Sequence, residues 1–139
     1  MKRAFSIFLL LSAAFLIADD WPEFRGPGAQ GDAGAINLPV EFGPGKNLKW
    51  KVAVPGAGWS SPVIAEGRIY LTTAIPKGAG LSLVALCLDT GTGRMVWNRS
   101  LFSMIKAPRM HRKNSQASPT PIVNGHRLYV HFGHMGTAC

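Results

Sequence analysis

The sequence predicts an all-β fold in which short antiparallel strands are joined by tight turns. Sixteen glycines and ten prolines in 139 residues predict many turns and few long helices, because both residue types interrupt regular structure. Between them lie short runs of aliphatic, aromatic and β-branched residues, which are typical of strands. Hydrophobic residues make up 47% and charged residues 16%, which indicates a globular chain and argues against disorder.

The first 18 residues predict a signal peptide for export. Lys2 and Arg3 provide a positive start, residues 4–18 are apolar apart from two serines, and two aspartates follow. This order is typical of a secretory signal, and the apolar run is shorter than the ~20 residues that a membrane-spanning helix needs. A buried N-terminal helix is the alternative. We expect cleavage after Ala18, a periplasmic or secreted protein, and no stable membrane anchor.

The mature chain is predicted to begin with an irregular lead-in, residues 19–46, because this segment is rich in Gly and Pro. Residues 47–54 (NLKWKVAV) alternate in polarity, which predicts a strand with one buried face. Further runs predict a four-stranded antiparallel unit, a patternless segment and a second hairpin. The strands of the four-stranded unit are 61–65, 68–73, 81–88 and one that begins at 94–97, and those of the second hairpin are 120–123 and 127–132. Turns are predicted at 66–67, 89–93 and 124–125, and loops at 76–80 and 103–116.

A repeat predicts how the strands are arranged. Ser61–Leu71 (SPVIAEGRIYL) aligns without gaps on Thr120–Val130 (TPIVNGHRLYV). Trp50 and Trp97 lie in end-of-unit strands, separated by about the 40–50 residues of one propeller blade. Repeated units of four strands indicate a β-propeller, and a β-sandwich with two coincidentally similar hairpins is the alternative. We expect a partial β-propeller: one complete four-stranded blade plus parts of two others, with residues 47–139 a truncated section of a longer chain.

Residues 87–97 (CLDTGTGRMVW) contain a second motif. Asp89 and Thr92 can hydrogen-bond within a tight turn, and Gly93 can adopt a positive φ. Trp97 can then pack between neighbouring blades, where its indole N–H needs a partner. This run resembles the tryptophan-docking motif of β-propeller repeats of the pyrroloquinoline quinone (PQQ) type. The resemblance implies a structural role for all four residues.

Residues 20–31 (DWPEFRGPGAQG), 58–63 (GWSSPV) and 131–139 (HFGHMGTAC) resemble exported bacterial proteins with PQQ-binding-like repeats, so the likeness covers nearly all of the mature chain. That superfamily includes quinoprotein alcohol dehydrogenases and a non-enzymatic outer-membrane assembly factor. The fold alone therefore does not identify the function. We expect a scaffold that binds a protein or an anionic polysaccharide, together with the remaining blades of its own chain. The alternative is a PQQ-dependent oxidoreductase whose active site lies beyond residue 139.

No residue set in this chain identifies a catalytic site or a cofactor site. The resemblance implies that PQQ chemistry would need a calcium ion held by carboxylates and a basic Asp in the central channel. The mature chain has seven carboxylates, and one of them, Asp89, belongs to the docking turn. PQQ and calcium are therefore expectations for the full-length protein alone, and residues 1–139 do not support either.

Three features are candidates for ligand contact. Residues 106–113 (KAPRMHRK), the basic loop, predict either a solvated loop or a rim loop that grips an acidic protein or a sulfated or carboxylated glycan. His131 and His134 would face opposite sides of a strand, so we favour ordinary rim residues over a zinc site, which needs three or four ligands. For Trp59 we favour packing in a tight turn over a stacking surface near the channel.

The positive charge of the chain makes nucleic acid a partner to consider. The formal net charge is +8, and such an excess can attract nucleic acid, anionic lipid or acidic polymers. The basic residues are scattered along the chain, and no nucleic-acid-binding motif accompanies them. We therefore expect no nucleic-acid partner.

Overall fold

The computed structural model describes residues 20–34 and 37–139, so the predicted signal peptide lies outside the described residues. The described chain is all-β, as predicted, and forms two antiparallel sheets that do not close into a ring. The first sheet contains β1 (Val63–Ala65), β2 (Arg68–Lys77), β3 (Gly80–Asp89) and β4 (Met95–Met104), and the second contains β5 (Ile122–Asn124), β6 (Arg127–His131) and β7 (Thr137–Ala138). The part of the chain that the structure describes holds no helix long and apolar enough to cross a membrane.

The predicted four-stranded unit is confirmed, but its strands are longer than the sequence pattern indicated. β2 continues through the predicted loop at 76–80, where Pro76 pairs with Leu81 and only Gly78 and Ala79 form the turn. Proline has no N–H to donate, and it is tolerated at this position because its nitrogen faces the edge of β2 where β1 has already ended. The nitrogen of Ala74, two residues earlier, points to the same side and bonds to Ala57.

The repeated segments form two hairpins of the same register. Val63 pairs with Tyr70 in the first hairpin, and the equivalent Ile122 pairs with Tyr129 in the second. Glu66 and Gly67 both have positive φ, 50° and 70°, which matches the twist of a tight hairpin turn. In the second hairpin the turn falls at residues 125–126, one residue later than predicted.

The predicted strand over residues 47–54 is wrong. None of these residues joins a sheet, and Leu48, Val52 and Val54 are exposed. Alternating polarity shows which side chains can share a face, but a strand also needs a neighbour for its backbone hydrogen bonds. Within the described residues, no strand forms a ladder of hydrogen bonds with this segment.

The apolar core lies on both faces of β3. On one face Leu83 and Ala85 pack with Val130 and Phe132 of the second sheet region, so this cluster joins the two sheets. On the other face Val84, Leu86 and Leu88 form a separate buried cluster with side chains from β2. Burial on both faces explains why β3 is a nearly continuous apolar run rather than an alternating one.

The lead-in connects the two sheets at their first strands. Trp21 exchanges both backbone hydrogen bonds with Ile64 of β1, at N···O distances of 2.7 and 2.8 Å. The carbonyl of Pro22 then accepts a hydrogen bond of 2.8 Å from the nitrogen of Val123 in β5. Consecutive lead-in residues therefore bond to both sheets.

Candidate functional site

The turn between β3 and β4 is organised by Asp89. Its Oδ1 accepts hydrogen bonds from the nitrogens of Gly91 and Thr92 and from the Thr92 hydroxyl, at 2.9–3.1 Å. Its Oδ2 accepts from the Arg68 guanidinium at 2.6 Å. Gly93 closes the turn with φ of 70° and donates its N–H to the Asp89 carbonyl. The turn is thus held by one carboxylate that serves four donors.

The indole of Trp50, which lies in the segment before β1, packs on this turn. The Nε1–H of Trp50 donates to the carbonyl of Thr90 at 3.0 Å, and its ring lies against the backbone of Gly93. A Cβ placed on Gly93 would lie 2.5 Å from Trp50 Cε3. Trp97 itself lies between the two sheets beside Leu128, where it lines a cavity of about 400 Å³. The indole that hydrogen-bonds to the turn therefore belongs to Trp50.

The hydrogen bonds of Asp89 predict a specific acid sensitivity. The hydrogen bond from the Thr92 hydroxyl is the main reason why the pKa of the Asp89 carboxyl lies below its ordinary value. Further donors, including Arg68, lower this pKa as well. A carboxyl with a lowered folded-state pKa stabilises the fold above its unfolded pKa, about 4, and this stabilisation is lost as the pH falls through the folded value. We expect urea unfolding of Asp89→Asn to depend less on pH than wild type below about pH 4. Asp32→Asn controls for loss of one carboxylate, and equal pH profiles for wild type and Asp89→Asn would contradict the assignment.

Antiparallel pairing brings the remaining candidate features to the opposite end of the sheets, which we call the loop end. β2 ends there at Lys77, β4 ends there at Met104, and β6 ends there at His131. The loop end therefore carries the segments 105–119 and 132–136, and residues 56–62 run alongside the middle of β2. The rings of Phe102 and Phe132 pack edge to face, with centroids 6.0 Å apart, and hold the two sheets together at this end.

A cleft of about 290 Å³ opens at the loop end between the basic loop and the segment after β6. The basic loop contributes Arg109 and His111, and the turn Gly133–Met135 contributes His134. Phe132, which is 1% exposed, belongs to the floor. Two features that are far apart in the sequence, the basic loop and the second histidine, thus line one cavity.

The wall of the cleft is fixed by a hydrogen-bonded turn that follows the basic loop. Ser118 Oγ donates to Asn114 Oδ1 at 2.6 Å and accepts from the nitrogen of Ser115 at 3.0 Å. Ala117, fully buried, anchors this turn in the core between the sheets. The basic loop is therefore followed directly by a turn that is held by hydrogen bonds and by burial of Ala117.

The lining of the cleft includes the positive charge of Arg109 and two histidines, and no carboxylate. Asp89 is the last acidic residue, and residues 90–139 contain seven Lys and Arg, all four His and no Asp or Glu. Within the described residues, the contacts between basic and acidic side chains are Lys46–Glu41, Arg68–Asp89 and His126–Glu66, and none includes the basic loop. The uneven distribution of acidic residues is visible in the sequence, and it is the signal from which the charge of the cleft could have been predicted.

The two histidines have different environments. His131 Nδ1 lies 2.8 Å from Thr137 Oγ1 across the β6–β7 pair. After β6, Gly133, with φ of 59°, starts the short turn that places His134 in the cleft. Among residues 20–34 and 37–139, no group of three or more His, Cys, Asp or Glu side chains is placed to hold a metal ion.

The favoured packing of Trp59 in a tight turn is wrong, because its side chain is 59% exposed. Its backbone is nevertheless fixed: the nitrogens of Trp59 and Ser60 both donate to the carbonyl of Ala117, at 3.0 and 3.1 Å. Gly58 lies so close to β2 that a Cβ would be 2.7 Å from the Thr72 carbonyl. The backbone occupies the space next to the sheet, and the indole is left on the surface.

Comparison of the chain with models of known protein families gives no match, and comparison with curated proteins finds no similar sequence. The geometry of the loop end is therefore the basis on which a function is assigned.

Proposed function

We propose that the chain is part of an exported β-propeller of the PQQ-repeat type that acts as a binding scaffold, and that its ligand presents acidic groups to the cleft at the loop end. The observation that supports this function best is the cleft lined by Arg109, His111 and His134. The two consecutive hairpins of identical register support the repeat architecture. Export rests on the apolar segment and the charges that flank it.

The charge of the cleft favours an anionic ligand over a neutral one. Arg109 lines the cleft, and the basic side chains of the loop form no ion pair within the described residues. A cavity whose walls carry one sign of charge concentrates ligands of the opposite sign and accelerates their association. An acidic partner would also supply the carboxylate or sulfate acceptors that a guanidinium binds well.

Substitution of Arg109 tests the proposal. We expect Arg109→Ala to weaken binding of poly-L-glutamate and dextran sulfate about fivefold, since one exposed charge contact contributes about 1 kcal/mol. Added salt should weaken wild-type binding as well. Isothermal titration of the purified chain gives both results.

The matched control is Arg94→Ala, which removes an exposed arginine beside the Asp89 turn at the other end of the sheets. It should bind both polyanions nearly as well as wild type. Equal losses for Arg94→Ala and Arg109→Ala would show that only overall charge matters, and this would contradict a site in the cleft.

A further inference from the structure

We propose that the ligand class is an acidic polysaccharide, with a sugar ring stacked on Trp59 and its carboxylate or sulfate group in the neighbouring cleft. This inference rests on the proposed function and names its ligand. The alternative occupant of the same cleft, an acidic protein segment, would use the charges without needing the indole. The position of Trp59 decides between the two.

Trp59 presents an apolar surface to water from a backbone that is held by hydrogen bonds. Its side chain is 59% exposed, yet hydrogen bonds fix the backbone on both sides of it. Ala57 exchanges two backbone hydrogen bonds with Ala74 of β2, at 3.0 and 2.9 Å, and Ser60 Oγ accepts from the nitrogen of Thr72 at 3.1 Å. An exposed aromatic side chain on a fixed backbone loses little entropy when it binds a ligand, and Trp and Arg are enriched among binding hot spots.

A groove of about 300 Å³ runs beside this indole. Gly56 and Gly58 form part of its lining and lie directly against β2, so no side chain fills the groove at these two positions. A Cβ on Gly56 would be 2.5 Å from the Ala74 carbonyl. A flat indole above a shallow floor with nearby hydroxyl and peptide groups suits a ring that has one apolar face and a polar edge, as a pyranose does.

The groove, which lies beside the middle of β2, and the cleft at the loop end are neighbours. The carbonyl of Ala117 accepts hydrogen bonds from Trp59 and Ser60, and the residues on either side of it, Gln116 and Ser118, line the cleft. Thr72, in the groove, also contacts the Pro119 carbonyl at 3.5 Å. Residues 116–119 thus border both cavities, and the proposed ligand is a chain of acidic sugars that crosses this border.

The test compares three polymers of matched length on the full chain: polygalacturonate, dextran sulfate and poly-L-glutamate, with neutral dextran as the uncharged reference. We expect Trp59→Ala to weaken binding of the acidic glycans about tenfold, as loss of one aromatic contact would, and to leave poly-L-glutamate binding unchanged. Trp59→Phe should retain most of the affinity. Tryptophan emission should change when wild type binds a glycan, and this change should be absent in Trp59→Phe.

Phe42→Ala is the control, because Phe42 is 72% exposed and does not line the groove. It should bind all polymers as wild type does. If Trp59→Ala binds the acidic glycans as tightly as wild type, while poly-L-glutamate still binds through Arg109, the glycan inference is overturned and an acidic protein becomes the ligand. If Arg109→Ala changes binding of neither glycan nor polypeptide, the proposed function itself fails.

Discussion

Gly93→Ala is expected to destabilise the protein by about 3 kcal/mol or more, because two independent penalties meet at this residue. Its φ of 70° disfavours any side chain, at roughly 1–2 kcal/mol. The new methyl group would also overlap the docked ring of Trp50, since the nearest ring atom would be 2.5 Å away. Overpacking of this kind typically costs about 1–3 kcal/mol.

Gly125→Ala separates the two penalties. Gly125 has a similar φ of 56°, and a Cβ there would meet nothing within 4 Å. Gly125→Ala should lower the free energy of unfolding only by the cost of the unfavourable backbone conformation, about 1–2 kcal/mol. In a Trp50→Ala background, Gly93→Ala should become about as mild as Gly125→Ala. Equal destabilisation by the two glycine substitutions in the wild-type background, measured by urea unfolding, would show that Trp50 does not dock on this turn.

Phe132→Ala is expected to lower the free energy of unfolding by about 3–5 kcal/mol, the range for a large aromatic removed from a core. Phe132 is 1% exposed and packs against Phe102 at the junction of the two sheets. It also forms the floor of the cleft. Its removal should therefore loosen the second sheet relative to the first as well as destabilise the whole chain.

The control for this substitution is Phe42→Ala, which removes the same side chain from a surface position that is 72% exposed. Its effect should stay within about 0.5 kcal/mol. Hydrogen exchange provides a second measurement: Phe132→Ala should lose protection first in β5–β7. If β1–β4 and β5–β7 lose protection equally, the two sheets unfold as one unit and Phe132 is not a separate junction.

The hairpins could be predicted from the sequence because their signals are local. A turn pair such as Glu66–Gly67 between two β-forming runs determines the register of the strands without reference to distant residues. The full length of β2 and β4 could not be predicted in this way. Pro76 belongs to a strand only because β1 stops short of it, and the polar stretch of β4 is a strand only because β3 supplies its hydrogen bonds.

The site depends more on distant contacts than the hairpins do. The basic loop was recognised from its composition, but the cleft exists only because packing of Phe102 on Phe132 brings the turn after β6 beside that loop. The exposure of Trp59 could not be predicted for the same reason. Whether an indole in a glycine-rich segment is buried depends on how closely the backbone approaches β2 and Ala117, and no local pattern encodes that distance.

The two lead-in residues that bond to both sheets have a consequence for the order of folding. Trp21 and Pro22 stand near the start of the described chain, whereas Val123 stands near its end. A contact between such distant residues closes a large loop, which is entropically unfavourable until the intervening hairpins have formed. The β1–β4 meander, whose contacts are local, is therefore expected to form early, and the lead-in to join it to β5 in a late step. Unfolding would begin with the reverse of that step, by release of the amino-terminal segment.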